Sequence, residues 1–180
     1  MKVILFGDSL LAGMGKDLVK ELEAQVPGAD VYNCSVSGWD TNDGLKKSPY
    51  ISKLKPDVVI LGFGTNDAAP WKQVPLEKFL ENIPKIVKEF AGSKVVYFLP
   101  PPVHPENGWE NQKRFPEVVQ QYHDEAKKLL KELGVAYLDS HAVFKPLLNK
   151  DESYHVNDGV HLNEHGYEVL IRELAIKIVE

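Results

Sequence analysis

The first 25 residues read MKVILFGDSLLAGMGKDLVKELEAQ, and their pattern indicates the class of fold. The apolar run Val3–Phe6 ends at Gly7 and predicts a short buried β-strand. The segment from Leu10 to about Gln25 predicts a helix, with a weak start among its glycines. A buried strand that passes through a short polar turn into a helix is typical of a βαβ unit.

The rest of the chain repeats this alternation of short apolar runs and longer amphipathic segments. Further strands are predicted at Asp30–Cys34, Asp57–Leu61, Lys94–Leu99 and Val135–Leu138. Further helices are predicted at Leu76–Phe90, Phe115–Leu133 and Glu164–Val179. Pro84 predicts a kink or a break in the first of these. More helix is expected before a loop at about Lys150–Leu162. Strands that alternate with helices predict a parallel sheet with helices on both of its faces.

Length and composition limit the classes of protein to consider. We expect residues 1–180 to form a single globular domain, with 43% hydrophobic and 26% charged residues. The net charge is −5 and no basic stripe predicts nucleic-acid binding. No stretch approaches the roughly 20 apolar residues of a membrane span. The first apolar run is too short for a secretory signal, so we expect a cytoplasmic protein. Cys34, the single cysteine, excludes an intrachain disulfide.

Small polar residues and glycines follow the first three predicted strands. They lie in residues 7–10 (GDSL), 35–39 (SVSGW) and 62–67 (GFGTND), and a late loop contains residues 158–161 (DGVH). Ligands of open parallel sheets bind outside the carboxyl ends of the strands, so we expect these segments to converge. Together they supply a hydroxyl, glycine N–H groups, a carboxamide, a carboxylate and an imidazole. These are the groups that acyl transfer requires.

Each of these residues also has an explanation that involves no catalysis. Ser9 could cap the helix that follows it, because serine is a favoured N-cap residue. Gly38 could be an ordinary turn glycine, and Asn66 a turn or capping residue. Asp158 and His161 could form only a local hydrogen bond in a surface loop. The catalytic interpretation is favoured because all of them are expected at one edge of the sheet.

On these residues the chain resembles the SGNH hydrolase family, also called GDSL esterases and lipases. Its four short blocks match residues 6–10, residues 33–38, residues 64–67 and residues 158–163, in the order of the family. Ser35 is a departure, since many relatives have glycine there. The resemblance implies a three-layer α/β/α sandwich, with a flavodoxin-like five-stranded parallel sheet and helices on both faces.

The same resemblance implies an activity and a set of site residues. It implies a serine ester hydrolase with Ser9, Asp158 and His161 as the triad. It implies an oxyanion hole formed by the backbone N–H groups of Ser9 and Gly38 and the side-chain amide of Asn66. No metal or cofactor is implied, and the expected partner is a small-molecule ester with a short acyl or acetyl group. Alternatives are a lysophospholipase or acyl thioesterase, a carbohydrate acetylesterase, and a non-catalytic flavodoxin-like binding module.

Two sequence patterns suggest other sites. His161, Glu164 and His165 fit a zinc-peptidase pattern that requires both histidines on one helical face. Asn163 is a favoured N-cap residue, so we expect the helix to begin after it and to leave His161 in the loop. The early glycines do not form a phosphate-binding loop, because Asp17 stands where serine or threonine is required.

Aromatic residues that follow predicted strands are candidates for a substrate pocket, since such pockets are mostly apolar. They are Trp39, Phe63, Trp71 and Trp109. Packing beneath the loops is an equally good explanation for each of them. Trp109 lies in the longest irregular stretch, residues 100–114, and long loops in compact domains are usually functional.

Overall fold

The structure, a computed structural model, describes residues 1–72, 74–108, 113–148 and 153–180. The strands are β1 Lys2–Gly7, β2 Asp30–Asn33, β3 Val58–Gly62, β4 Lys94–Phe98 and β5 Ala136–Leu138. The helices are α1 Ser9–Ala12, α2 Lys16–Gln25, α3 Thr41–Ile51, α4 Leu76–Glu89, α5 Pro116–Leu133, α6 Ser140–Leu148 and α7 Glu164–Val179, and a short 3₁₀ helix spans Ser52–Leu54. Each strand is followed by a helix, as the alternating pattern predicts.

The sheet contains five strands in the order β2-β1-β3-β4-β5, and every neighbouring pair is parallel. This is the predicted flavodoxin-like sheet. The chain moves outward from β1 to β2 and then crosses back to place β3 on the other side of β1. Ligands of such sheets bind where the strand order reverses, outside the carboxyl ends of the strands. The register that pairs Gly7 with Gly62 brings the ends of β1 and β3 together at this point.

Alternate residues of each strand pack against opposite layers of helices, because side chains alternate along a strand. Val3 and Leu5 belong to a core shared with α2, α6 and α7. Ile4 and Phe6 belong to a second core shared with α4 and α5 and with partly buried residues of α3. Both faces of the sheet are covered, which explains why β1 is an unbroken apolar run. The three-layer α/β/α sandwich is confirmed.

The region after β1 differs from its prediction. One helix was expected from Leu10 to about Gln25, but α1 ends at Ala12 and α2 begins only at Lys16. The glycines between them explain the break, since glycine is a poor helix former and Gly15 has extended backbone angles. The result is a one-turn helix that positions Ser9 directly after β1.

Two other helices correct the sequence-based expectations. The helix α3 was not predicted, although a capping box formed by Asp40 and Asp43 marks its start. The helix α4 continues across Pro84 from Leu76 to Glu89, so the prediction of two separate pieces was wrong. Within the described ranges, no helix is both long and apolar enough to cross a membrane.

Candidate active site

The three loops that follow β1, β2 and β3 meet at the point where the strand order reverses. The backbone N–H of Asp8 donates to the carbonyl of Gly62 (2.9 Å), which joins the first loop to the third. The backbone N–H of Val36 donates to the carbonyl of Gly7 (3.1 Å), which joins the second loop to the first. The convergence expected from the parallel sheet is therefore present.

Ser9, His161 and Asp158 form one chain of hydrogen-bonded side chains. The Oγ of Ser9 lies 2.8 Å from Nε2 of His161, and Nδ1 of His161 lies 2.5 Å from Oδ2 of Asp158. Ser9 and His161 are 152 positions apart in the chain, so only the fold brings them together. The side chains of His161 and Asp158 are 40% and 31% exposed, so a small molecule can reach the histidine.

The hydroxyl of Ser9 does not cap the helix. Asp8 is the N-cap residue of α1, and its Oδ1 accepts the backbone N–H of Leu10 at 2.9 Å. The capping explanation for Ser9 is therefore wrong, and Ser9 is the first helical residue. Burial raises the pKa of Asp8 to about 6, although the Leu10 hydrogen bond and the positive charge of Arg114 act in the opposite direction.

Asp158 fixes the loop that contains His161. Its Oδ1 accepts the backbone N–H groups of Val160 and His161, both at 2.9 Å, while Oδ2 faces the imidazole. Burial raises the pKa of Asp158, but the side-chain and backbone hydrogen bonds of His161 outweigh it and leave this pKa below its usual value. Gly159 has a φ of 67° and lies against His104. Only glycine tolerates this backbone angle and this close contact.

Asn66 is buried in the loop that follows β3. Its side-chain Nδ2 donates to the carbonyl of Trp39 (2.8 Å), and its Oδ1 accepts from Nη2 of Arg114 (2.8 Å). Asn66 is 4% exposed and Arg114 9%. Nothing in the sequence patterns marked Arg114, because an isolated basic residue in a loop has no periodic or motif signal.

The next residue, Asp67, anchors the start of α3. Its carboxylate accepts the backbone N–H of Thr41 (3.0 Å) and a very short hydrogen bond from the hydroxyl of the same residue. The side-chain amide of Asn82 in turn donates to that hydroxyl (3.1 Å). Asp67 is 2% exposed, and burial raises its pKa to about 7 despite these hydrogen bonds. This network connects the loop after β3 to α3 and α4.

Gly38 is the third residue of a tight turn after β2 that runs from Val36 to Trp39. The backbone N–H of Trp39 donates to the carbonyl of Val36 (3.3 Å), and Gly38 has a φ of 85°. A positive φ at the third position of such a turn favours glycine. The turn therefore explains the glycine by backbone geometry, and it places Gly38 on the exposed surface beside Trp39.

The four aromatic candidates occupy different environments. Trp39 is partly buried and packs edge-on against Phe6, with 6.0 Å between ring centroids. Phe63 is 1% exposed and lies in the core, also against Phe6. Trp71 is 41% exposed, and the guanidinium of Arg114 stacks 4.9 Å from its ring centre. Trp109 lies outside the described residues.

The zinc pattern does not form a helical site. Asn163 caps α7, with its Oδ1 accepting the backbone N–H of Gly166 (2.9 Å), so His161 lies in the preceding loop and His165 on the helix. Both ring nitrogens of His161 already face Asp158 and Ser9. In the part of the chain that the structure describes, no group of three or more His, Cys, Asp or Glu residues could hold a metal ion.

Comparison with known proteins identifies the chain as an ester hydrolase. The model of the GDSL-like lipase/acylhydrolase family matches residues 5–169, so the chain belongs to this family. An isoamyl acetate-hydrolyzing esterase 1 homolog from Mus musculus is 27% identical, over 97% of this chain and 80% of the relative. An acetylxylan esterase from Xylanibacter ruminicola is 24% identical, over 99% of this chain and 43% of the relative.

Solved structures agree with this assignment. A lipase/acylhydrolase from Enterococcus faecalis superposes with a TM-score of 0.87 at 28% identity, covering 98% of this chain and 94% of that one. A catalytic mutant of an acetylxylan esterase from Geobacillus stearothermophilus has a TM-score of 0.81 at 22% identity, covering 98% and 93%. The second likeness shows a shared fold.

Proposed function

We propose that the chain is a serine ester hydrolase in which Ser9 is the nucleophile, His161 the general base and Asp158 the residue that orients His161. The hydrogen-bonded chain from Ser9 Oγ through His161 to Asp158 carries this proposal. A serine hydroxyl is a weak nucleophile at neutral pH and needs a base within hydrogen-bond reach. The 2.8 Å contact between Ser9 and His161 meets that requirement before any substrate is bound.

The reaction proceeds in two steps through an acyl-enzyme. The Oγ of Ser9 attacks the ester carbonyl carbon while Nε2 of His161 takes the hydroxyl proton. His161 then gives that proton to the departing alcohol, and the acyl group remains on Ser9. A water molecule, deprotonated by His161, attacks the acyl carbon; the bond to Ser9 Oγ then breaks, His161 returns the proton to Oγ, and the acid is released. Asp158 accepts from Nδ1–H, which presents Nε2 as the acceptor and stabilises the imidazolium.

Three N–H groups are proposed to bind the negative oxygen of each tetrahedral intermediate. The backbone N–H of Ser9 is at the start of α1, where N–H groups have no acceptor within the helix. The backbone N–H of Gly38 lies in the exposed turn after β2. The amide of Asn66 has two N–H bonds, of which Trp39 accepts one, leaving the other for substrate. Such donors act where charge develops in the transition state.

The proposed substrate is a soluble small-molecule ester with an acetyl or other short acyl group. Two of the matched relatives bear names that specify acetate esters, one of a simple alcohol and one of a xylan. An acetylated sugar is therefore the second candidate for the same site. Lysophospholipids and acyl thioesters would require the same chemistry at Ser9, and they are outcomes to be tested against acetate esters.

The decisive variant is Ser9→Ala. We expect kcat for an aryl acetate to fall on the order of 10⁶-fold, because the nucleophile is removed, while the melting temperature stays close to that of the wild type. Ser37→Ala is the matched control, since Ser37 is an exposed serine in the neighbouring turn and should keep full activity. A fluorophosphonate should label Ser9 and no residue of the Ser9→Ala variant. Full activity of Ser9→Ala would refute the proposal.

A substrate panel then separates the candidate esters. It contains aryl acetate, butyrate and octanoate, acetylated xylose, an acyl thioester and a lysophospholipid. We expect the highest kcat/KM for the acetates and a steady decrease with chain length. Activity should survive exhaustive chelation, because both ring nitrogens of His161 are occupied by Asp158 and Ser9. Higher kcat/KM for octanoate or lysophospholipid than for acetate would reject the short-acyl assignment.

A further inference from the structure

Arg114 is a buried cation whose side chain donates its hydrogen bonds to the loop after β3. Its Nε donates to the carbonyl of Thr65 (3.0 Å) and its Nη2 to Oδ1 of Asn66 (2.8 Å). Buried arginines are usually paired with carboxylates, because an unpaired charge is costly to remove from water. Here the guanidinium donates to two neutral oxygens, Asp8 and Asp158 interact with it through their charge, and Trp71 covers its face at 4.9 Å. This unusual choice of partners points to a role at Asn66.

The two partners of Asn66 determine which way its amide faces. The oxygen and nitrogen of a carboxamide have nearly the same shape, and a half-turn of the group exchanges them. Arginine can only donate, so the amide oxygen must face Arg114. The carbonyl of Trp39 can only accept, so the amide nitrogen must face Trp39. The two contacts together leave one N–H of Asn66 for a ligand.

We propose that Arg114 is a positioning residue that holds the Asn66 amide with its N–H toward the reacting oxygen. This inference rests on the proposed function, because it assigns Arg114 a task in the oxyanion hole. If the amide turned over, its oxygen would face the negative oxygen of the intermediate and repel it. The positive charge also polarises the amide through a charge-assisted hydrogen bond, which makes the remaining N–H a stronger donor.

Arg114 is itself held in place by a buried asparagine. Asn107 is 0% exposed, and its Oδ1 accepts the backbone N–H of Arg114 at 2.8 Å. Its Nδ2 donates to the carbonyl of Arg114 (2.7 Å) and to that of His104 (2.6 Å). These bonds fix the backbone from which the guanidinium extends. The planar fork of arginine holds its two donors at a fixed spacing, which the freely rotating ammonium of a lysine cannot reproduce.

The same segment also holds the loop of the proposed base. The backbone N–H of Gly108 donates to the carbonyl of Asp158 (2.6 Å), and that of His104 donates to the carbonyl of Gly159 (2.8 Å). Residues 104–108 therefore touch the Asp158 loop directly and reach Asn66 through Arg114. A readout specific to Asn66 is needed to separate the two connections.

A double-mutant cycle between Arg114 and Asn66 provides that readout. Arg114→Met, Asn66→Ala and the double variant are compared with the wild type, with kcat expressed per site titrated by fluorophosphonate. We expect Arg114→Met to lower kcat about 10- to 100-fold and to change KM by less than about threefold, because a charge-assisted hydrogen bond is lost. In the Asn66→Ala background the same substitution should change kcat by less than about threefold, since the amide is already absent.

Two further variants sharpen the cycle. Arg114→Lys keeps the charge and loses the two-point hold, so its kcat should lie between those of Arg114→Met and the wild type. Arg172→Met is the matched control, because Arg172 is exposed on α7 and pairs with Glu173, and it should leave kcat unchanged. If Arg114→Met does not fold, Arg114→Lys in both Asn66 backgrounds gives the same test.

Several results would overturn the inference. An equal loss of kcat from Arg114→Met in both Asn66 backgrounds would show that Arg114 does not act through the amide. A loss carried by KM, or full activity in Arg114→Lys, would also exclude positioning by the two-point hold. The proposed function fails separately, through activity in Ser9→Ala. An inactive Ser9→Ala together with a fully active Arg114→Met would reject only the role of Arg114.

Discussion

The two sides of the site are built in different ways. The proposed acid–base side, formed by Asp158 and His161, lies in one loop, and its side chains are 31% and 40% exposed. On the proposed oxyanion side, Asn66 and Arg114 come from two loops 48 positions apart, and both residues are less than a tenth exposed. The pairing of Asp158 with His161 is thus local in the sequence, although residues 104–108 also support their loop, whereas the contact between Asn66 and Arg114 depends entirely on the tertiary fold.

This difference matches the tasks that we propose for the two sides. A general base exchanges protons with substrate and water, so it must remain accessible. A donor to a developing negative charge works best when it is oriented in advance and shielded from water. The buried network of Asn66 provides that orientation, whereas Asp158 needs to fix only one imidazole. The predictions below test this contrast.

Of the two sides, the acid–base side is expected to show the larger effect, from Asp158→Asn. The asparagine Oδ1 can still accept the backbone N–H groups of Val160 and His161, so the loop should keep its shape. Its NH₂ would face Nδ1 of His161 and select the wrong tautomer. We therefore expect kcat to fall about 10⁴-fold with little change in melting temperature.

Asp124→Asn is a matched control for that experiment. Asp124 pairs with His123 at 2.8 Å on α5, so it tests the removal of a carboxylate from another His–Asp pair. It should retain the kcat of the wild type. Comparable losses in the two variants would mean that the Asp158–His161 pair has no special role.

On the oxyanion side, Asn66→Ala should lower kcat by about 10²–10³ and affect KM much less, because the lost donor acts mainly in the transition state. The structure adds a cost in stability, since Arg114 and the carbonyl of Trp39 both lose a partner. Asn82→Ala is the control: it removes another buried asparagine and should lower the melting temperature without lowering kcat per titrated site. Equal kcat in these two variants would contradict the proposed role of Asn66.

The smallest effect is a difference in how the two sides respond to pH. Burial raises the pKa of Asp67, next to Asn66, from 3.8 to about 7. Between about pH 4 and pH 7 the folded protein therefore keeps a proton on Asp67 that the unfolded chain has released. The free energy of unfolding falls as the pH rises through that range. Asp67→Asn should gain stability relative to the wild type over the same range, by at most about 4 kcal/mol.

Asp158 should behave in the opposite way. Its pKa lies below the usual value, so its contribution is present above about pH 4 and is lost as the pH falls further. Denaturant unfolding of the wild type, Asp67→Asn and Asp158→Asn from pH 3 to pH 8 measures both differences. A pH-independent difference between Asp67→Asn and the wild type would show that burial does not hold this proton.

The sequence by itself determined the class of fold, and it predicted the pairing of Asp158 with His161. Unbroken apolar strands such as Val3–Phe6, alternating with amphipathic helices, are compatible with few arrangements other than a covered parallel sheet. Asp158 and His161 are three positions apart, so their pairing depends on a local loop that the sequence displays directly. The expected positions of Ser9, Gly38 and Asn66 follow from the rule that ligands bind at the carboxyl ends of parallel strands.

Only the tertiary structure shows the two hydrogen-bond partners of Asn66, from which we propose how its amide is held. Arg114 is distant in sequence from Asn66 and belongs to no repeating pattern, so its contact with Asn66 depends on how the loops after β3 and β4 pack against each other. The same is true of the contact between Asp67 and Thr41, which links two loops through buried hydrogen bonds. Local patterns record which residues are buried and where strands end, whereas hydrogen-bond partners across loops depend on the packed fold as a whole.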